Sequence, residues 1–248
     1  MRQGTPPIAA LGRSLALLEA ILADREGRSV PAIAEALGLP RATAHRQVAT
    51  LVKERFLARL PGGRIAPGPR LLALLQLVDE KQVIVAAAAP LLHALAERLG
   101  CLVQLGTFEN EMVTYRVKTG SGAGDVFTRV GMQLEAYCTG IGKVLLAHLP
   151  EAEREAYLAT GPFPALTART ITDPGHLRQE LARIAEAGFA RDDEEIAEGL
   201  VCVAVPVRST GGRVLAAISA TRSVQEATRL PESAVIAALQ EVAAGLSV

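Results

Sequence analysis

Residues 29–56 read SVPAIAEALGLPRATAHRQVATLVKERF, and the way this stretch punctuates itself decides the organisation of the first part of the chain. Ser29 stands where a helix N-cap belongs, because a hydroxyl there accepts a free N–H of the first turn. Residues 32–37 then form a short helix that stops at Gly38. After Leu39-Pro40 a longer helix is predicted over residues 41–55, with proline tolerated at the first turn because no intrahelical N–H bond is lost there. Val48, Leu51 and Val52 give that helix an inward face and leave Arg41, Thr43, His45 and Arg46 gathered at its beginning. Two helices joined by a tight turn, the second opening with cations, make a helix-turn-helix. Its second helix enters the major groove of DNA and reads bases with its first residues.

The flanks complete the motif. Residues 11–23 predict an amphipathic helix with Leu11, Leu15, Leu18 and Leu22 on one face. On the other side, residues 56–60 and 64–66 are short extended runs around Pro61-Gly62-Gly63, a hairpin carrying Arg59 and Arg64 beside its tip. Three helices followed by a basic hairpin is the winged helix-turn-helix order. Groove chemistry then assigns candidate roles. Arg41 and Arg46 suit the paired acceptors of guanine, Thr43 a phosphate or base, and the Ala44 methyl a thymine methyl. Lys53 suits a phosphate, and Arg59 and Arg64 suit phosphates or the minor groove. Ser29 and His45 complete the candidate DNA-contacting set. Formal net charge is zero over 248 residues, but it is unevenly spread. Residues 1–70 hold 11 Lys and Arg against 5 Asp and Glu, a net of +6, so the remainder carries −6. A basic head on an acidic body fits phosphate attraction.

Beyond the hairpin, residues 69–80 form a leucine-rich helix (Leu71, Leu72, Leu74, Leu75, Val78), read as a linker that packs on the head or on a second subunit. A helix over residues 83–99 ends at Gly100. Strands follow at 101–108 and 112–117, a Gly- and Ser-rich loop at 119–125, and a helix opening near Gly140. Leu177, Leu181 and Ile184 mark another helix that stops at Gly188. Strands at 200–207 and 214–221 and a last helix at 232–246 close the chain. The fold class is an α+β two-domain chain with an antiparallel sheet in its second part. The expected domains are a head (1–68), a linker helix (69–82) and a second domain (83–248).

Composition narrows the chemistry. Cys101, Cys138 and Cys202 are odd in number and widely spaced, so neither a disulfide framework nor a metal site is expected, and no cofactor is. The apolar run at 8–23 is broken by Arg13 and Glu19 and makes a poor leader. The run at 83–95 is too short to span a bilayer. No membrane association and a cytoplasmic address are expected. Gly140-Ile141-Gly142-Lys143 lacks the upstream glycine and the following Ser or Thr of a P-loop, so nucleotide binding is rejected. An enzyme would have to pair Cys138 or Cys202 with His148 or His176, and no catalytic signature accompanies them. A helical interaction or sensor module without DNA binding is the other alternative.

The order of motifs resembles the IclR family of bacterial transcription regulators along nearly the whole chain. Arg13-Ser14-Leu15, Gly38-Leu39-Pro40, Thr43-Ala44-His45-Arg46 and Gly68-Pro69-Arg70-Leu71 are similar to its head. Thr139-Gly140-Ile141-Gly142-Lys143-Val144-Leu145-Leu146-Ala147 is the strongest single motif. Gly188-Phe189, Asp193-Glu194-Glu195, residues 199–207 and Ala217-Ile218-Ser219 follow in the family's order. Arg55 departs from the family's usual glycine, and residues 65–67 from its usual tyrosine-containing strand.

The resemblance implies a GAF-like effector-binding domain for a small organic acid, aromatic or short, no enzymatic activity, and control of a catabolic operon. It also implies a homodimer or homotetramer on near-palindromic operator DNA. Position by position it implies Val126 and Leu134 as wall or lid, Gly140 and Ile141 as amide donors, and Asp192 as a polar neighbour. The residues themselves add that Gly140 and Gly142 open a helix, whose free N–H groups suit a carboxylate. Strand alternation puts Leu200, Cys202 and Ala204 on one face, and Leu215, Ala217, Ser219 and Thr221 on one face of the next strand. On this reading Lys143 is a surface or ligand-contacting cation, and the run Asp192–Glu195 a solvated turn.

Overall fold

The protein was studied as a computed structural model that describes residues 7–122 and 126–246. The chain divides into two compact units, Met1–Asp79 and Glu80–Val248.

The first unit contains α1 (Ala9–Ala23), α2 (Val30–Ala36), α3 (Arg41–Lys53), the paired strands β1 (Leu57–Arg59) and β2 (Ile65–Pro67), and α4 (Pro69–Leu77). Ser29 caps α2 by accepting the Ala32 N–H at 3.4 Å. Leu17, Leu18, Ile33, Ala34, Leu39, Ala44, Val48 and Leu57 form the core. The expected leucine stripe on α1 is corrected. Leu18 is buried, but so is Leu17, whereas Leu11 and Leu15 are about half exposed. Among the described residues α2, α3 and β2 are the elements that pack extensively on α1 in this unit, and the stripe is buried where it meets them. Pro61–Gly63 makes a single 3-10 turn between the strands.

The second unit is a six-stranded antiparallel sheet between two helical layers. Its strands are β3 (Leu102–Glu109), β4 (Met112–Gly120), β5 (Gln133–Glu135), β6 (Ala190–Asp193), β7 (Leu200–Arg208) and β8 (Val214–Ser223), ordered β5-β4-β3-β8-β7-β6. Thr119 and Gly120, expected in a loop, instead finish β4, because they pair with Val103 and Leu102. Ser121 and Gly122 turn as expected, and residues 123–125 of that expected loop lie outside the described residues. Alternation divides the sheet cleanly. Val103, Leu105, Val203, Val205, Ile218 and Ala220 face α5 (Glu80–Leu99) and α10 (Glu232–Gly245). The opposite face, with Ala204 and Ala217, meets α6 (Gly140–Ala147), α7 (Glu151–Leu158) and α8 (Pro174–Ala187). A single-turn α9 (Val224–Ala227) follows β8 with a capping box formed by Ser223 and Glu226. By length and composition α5 would cross a membrane, yet Ile84, Ala88, Leu92, Leu95 and Ala96 are buried against the sheet.

Small residues let α6 sit close to the sheet. A Cβ at Gly106 would stand 2.8 Å from a Val113 methyl and 2.9 Å from an Ile141 methyl, and one at Gly142 would overlap the Ala136 carbonyl oxygen. A side chain at Gly106 would drive the helix off the sheet, and one at Gly142 would push away the segment that precedes the helix.

Arg55, between α3 and β1, holds φ +64°, the left-handed conformation for which glycine is suited. A non-glycine residue there costs about 1–2 kcal/mol, part of which glycine's extra unfolded-state freedom offsets. Arg55→Gly is therefore expected to stabilise the head by about 0.5–1 kcal/mol, measured as a rise in the midpoint of thermal unfolding.

Candidate effector cavity and nucleic-acid interface

The second unit encloses a narrow cavity of about 30 Å³ between the sheet and the first turn of α6. Thr139 precedes α6 and accepts the Gly142 N–H at 3.0 Å while donating to the Glu135 carbonyl at 3.2 Å. That cap leaves the N–H groups of Gly140 and Ile141 with no acceptor among the described residues. Both residues are buried, so two unsatisfied donors point to a ligand at the positive end of a helix. Gly140 is needed at this position. A Cβ there would lie 3.1 Å from Cys202 Sγ, 3.4 Å from Ala204 Cβ and 3.8 Å from Asp192 Cβ.

Register supplies the opposite wall. Cys202 pairs with Thr221 and with Asp192, and Ala204 with Ser219, so three neighbouring strands present short side chains to one space. All nine residues singled out in the sequence line this cavity: Val126, Leu134, Gly140, Ile141, Asp192, Leu200, Cys202, Ser219 and Thr221. Sequence reasoning missed Gln104, Tyr115, Phe127, Thr128, Thr139 and Ile196. Gln104 had a signal, a lone amide inside the apolar run Leu102-Val103-Gln104-Leu105. Its Nε2 donates to Thr128 Oγ1 at 2.8 Å. Lys118 Nζ donates to the carbonyls of Val126 (2.8 Å) and Thr128 (2.5 Å), so the segment that roofs the cavity is fastened to β3 and β4.

Two sequence readings are corrected here. Lys143 is neither a surface cation nor a cavity wall. It is 1% exposed and forms an ion pair with Glu195, with Glu180 at 3.8 Å. Nor is the whole acidic run solvated, for Asp192 and Glu195 are 3% and 5% exposed. Asp192 Oδ1 accepts the N–H groups of Glu195 (2.8 Å) and Ile196 (3.4 Å), which folds the loop after β6 back over itself. The Asp192 carboxyl is pushed up to about 7, first by burial and then by the Glu195 charge, against the pull of those N–H groups and of Lys143.

The cysteine–histidine pairs of an enzyme do not form. Burial pushes the Cys138 and Cys202 thiols up to about 12, with the Asp192 carboxylate adding to both. His148 bonds the Val144 carbonyl and Arg208 at 2.8 Å each, and His176 lies exposed at the start of α8. A thiol held neutral by burial and a neighbouring carboxylate, with no imidazole beside it, is a poor nucleophile. Among the described residues, no cluster of three or more His, Cys, Asp or Glu is placed to hold a metal ion.

In the first unit, Arg41, His45, Arg46 and Lys53 are exposed along α3, and Thr43 is half-buried. Ala44 is corrected as a thymine contact. It is 1% exposed and belongs to the core, so its methyl faces α1 and α2 rather than a groove. Ser29, His45, Arg59 and Arg64 line one open concave surface between the α1–α2 turn, α3 and the hairpin. Arg41, Thr43, Arg46 and Lys53 lie outside it. Arg25 and Arg28 also line that surface, and Arg28 pairs with Asp24 at 2.7 Å. Sequence reasoning missed them because Asp24 and Glu26 alternate with them and mask the charge.

A basic winged helix-turn-helix in one chain with a cavity-bearing α/β domain defines a class of DNA-binding transcription regulators. Residues 10–61 match the IclR helix-turn-helix domain, and residues 76–248 match the bacterial transcriptional regulator IclR C-terminal domain. The chain belongs to the IclR family of bacterial transcriptional regulators. It is 32% identical over 216 residues to the HTH-type transcriptional regulator XynR of Escherichia coli, covering 86% of each chain. It is 29% identical over 224 residues to the Pca regulon regulatory protein of Pseudomonas putida, covering 90% of this chain and 77% of that one. Among solved structures, an IclR homologue of Microbacterium hydrocarbonoxydans complexed with 4-hydroxybenzoate superposes with a TM-score of 0.62 at 29% identity, covering 96% and 97% of the two chains.

Lys143 gives a direct test of the buried charges. Lys143→Met leaves Glu195 buried without its cation and is expected to cost about 3–5 kcal/mol in urea unfolding. The double variant Lys143→Met/Glu195→Leu is expected to recover most of that loss, since replacing both partners by apolar groups is close to neutral.

Proposed function

We propose that this protein is a ligand-responsive, cytoplasmic regulator of a catabolic operon that binds near-palindromic operator DNA and is controlled by a small carboxylic acid. The carrying observation is the pair of unsatisfied N–H groups at Gly140 and Ile141, buried against a cavity in the same chain as an exposed basic α3. Arg41 and Arg46 are assigned to bases, His45 and Thr43 to bases or phosphates, and Lys53, Arg59, Arg64 and Ser29 to the backbone. Val126 and Leu134 wall the effector, and Ser219, Thr221 and Cys202 supply its polar surroundings. The cavity's size favours a short acid of a few heavy atoms. An aromatic acid, such as the one in the Microbacterium structure, needs the Val126–Thr128 roof to lift. The protein has no turnover of its own on this reading.

Purified protein is expected to bind its own upstream DNA with an affinity that falls steeply with added salt, because several phosphates are contacted. Arg46→Ala is expected to cost about 1–3 kcal/mol on the preferred sequence and little on unrelated DNA. A short monocarboxylic acid is expected to shift the binding curve, read by fluorescence anisotropy. Salt-insensitive binding, or equal affinity for all sequences, counts against the head's role.

Two heads are needed for a near-palindrome, and a second copy of this chain supplies the other. Leu72, Leu75 and Leu77 on α4 are 66%, 67% and 81% exposed, more apolar surface on one short helix than a monomer leaves bare. Leu72→Glu/Leu75→Glu is expected to convert a dimer or tetramer to a smaller species in sedimentation analysis. An unchanged mass would remove α4 from the interface.

A further inference from the structure

The cavity is meant, on the proposed reading, for an anion, yet among the described residues no Lys or Arg lines it. Among the described residues that line it, the one carboxyl is that of Asp192, 3% exposed on β6, whose Oδ2 has no hydrogen-bond partner among those residues. The groups facing Asp192 come from several elements. Lys143 on α6 is engaged by Glu195, which lies in the loop after β6. Glu180 on α8 is held by Arg183 at 2.7 Å. Cys202 on β7, Cys138 ahead of α6 and Tyr115 on β4 all have their protons held on by burial. The cations nearby are therefore matched already, and Asp192 has none of its own.

A carboxylate bound to the Gly140 and Ile141 N–H groups would become a second unmatched anion in the same water-poor space. Two carboxylates that share such a space cannot both stay ionised, and one proton is retained between them. We infer that the effector's carboxylate enters together with one proton, held between it and Asp192, so that Asp192 donates a hydrogen bond to the bound acid. The proton comes from solvent and settles on Asp192 Oδ2; no other bond forms or breaks. Asp192 thereby sets the specificity of the site, which accepts one carboxylate and rejects a second. The raised carboxyl, near 7 before any ligand enters, agrees with this and gives the direction of the pH dependence. Below pH 7 the empty site already holds the proton. Above pH 7 it must be taken up, and affinity declines.

This inference rests on the proposed effector role of the cavity, and calorimetry separates the two. The full-length native protein is titrated with acetate, propionate and lactate at pH 5.5 and 8.5, each in two buffers of different ionisation enthalpy. The expected result is uptake of about one proton per site at pH 8.5 and almost none at pH 5.5, with Kd rising about tenfold per pH unit above 7. Succinate is expected to bind more weakly than propionate at both pH values. Asp192→Asn, which keeps a hydrogen-bond donor and an acceptor for the Glu195 N–H, is expected to bind with no proton uptake and a Kd that does not change with pH. An acid that binds the native protein at pH 8.5 without proton uptake overturns the inference and leaves the effector role standing. A pH slope retained in Asp192→Asn overturns it equally. If none of the three acids binds at either pH, the inference and the carboxylate-effector reading fall together. Should the variant not fold, the buffer comparison on the native chain decides alone.

Discussion

The close approach of α6 to the sheet is the constraint on which the second unit depends. Gly140 on the helix and Gly106, Ala204 and Ala217 on the sheet remove the side chains that would hold the two apart, and Gly142 lets the segment from Ala136 to Thr139 close over the helix start. Seating the helix this deeply buries its N-terminal donors, which makes a cavity floor out of backbone alone. It also forces Lys143 inward, since a residue three positions on lies on nearly the same side of the helix. A buried ammonium requires a carboxylate, and Glu195 provides it only because Asp192 folds the loop after β6 inward. The helix seat, the ion pair and the acidic loop are consequences of one packing decision.

The two units treat charge in opposite ways. In the head, cations stay in water along α3 and the hairpin, where they cost no desolvation and remain free for phosphates. In the second unit Lys143, Asp192 and Glu195 are taken out of water, where each must be paired or protonated. A whole-chain net charge of zero conceals this division. The division also separates functions, because a screened surface charge responds to salt while a buried one responds to protons.

Elements whose period and punctuation agree were legible in the sequence. Ser29, Gly38 and Pro40 bracket the helix-turn-helix, and strand alternation brought Cys202, Ser219 and Thr221 to one face before any register was known. Harder to read was everything decided by what packs on an element rather than by the element itself. Ala44 sits among the recognition residues, but α3 turns it into the core. Leu11 and Leu15 continue a good stripe beyond the point where neighbours end. Asp192-Asp193-Glu194-Glu195 has the composition of a turn, yet its first two residues finish strand β6, because β7 offers an edge to pair with and the run buries its first and last acids. Phe127 and Thr128 carry no periodic signal, and the Gln104 and Lys118 hydrogen bonds that fasten their segment over the cavity join residues distant in sequence.

An effector changes DNA affinity only if it binds one arrangement of the heads better than another. Within the chain, Val78 and Asp79 are the sole residues between α4 of the head and α5 of the second unit. α5 packs through Ile84, Ala88 and Leu92 on the sheet face opposite the cavity, against Val103 and Leu105. Gln104, between those two, faces the cavity and holds its roof through Thr128. One strand thus contacts the ligand site with one set of side chains and the helix leading to the head with the other. Because packed interiors repack between discrete states and deform little, any shift of β3 on filling the cavity, on the proposed reading, would reach α5 directly. The alternation that builds the sheet therefore also places the cavity lining and the seat of α5, which begins one residue past Asp79, on opposite faces of the same strand.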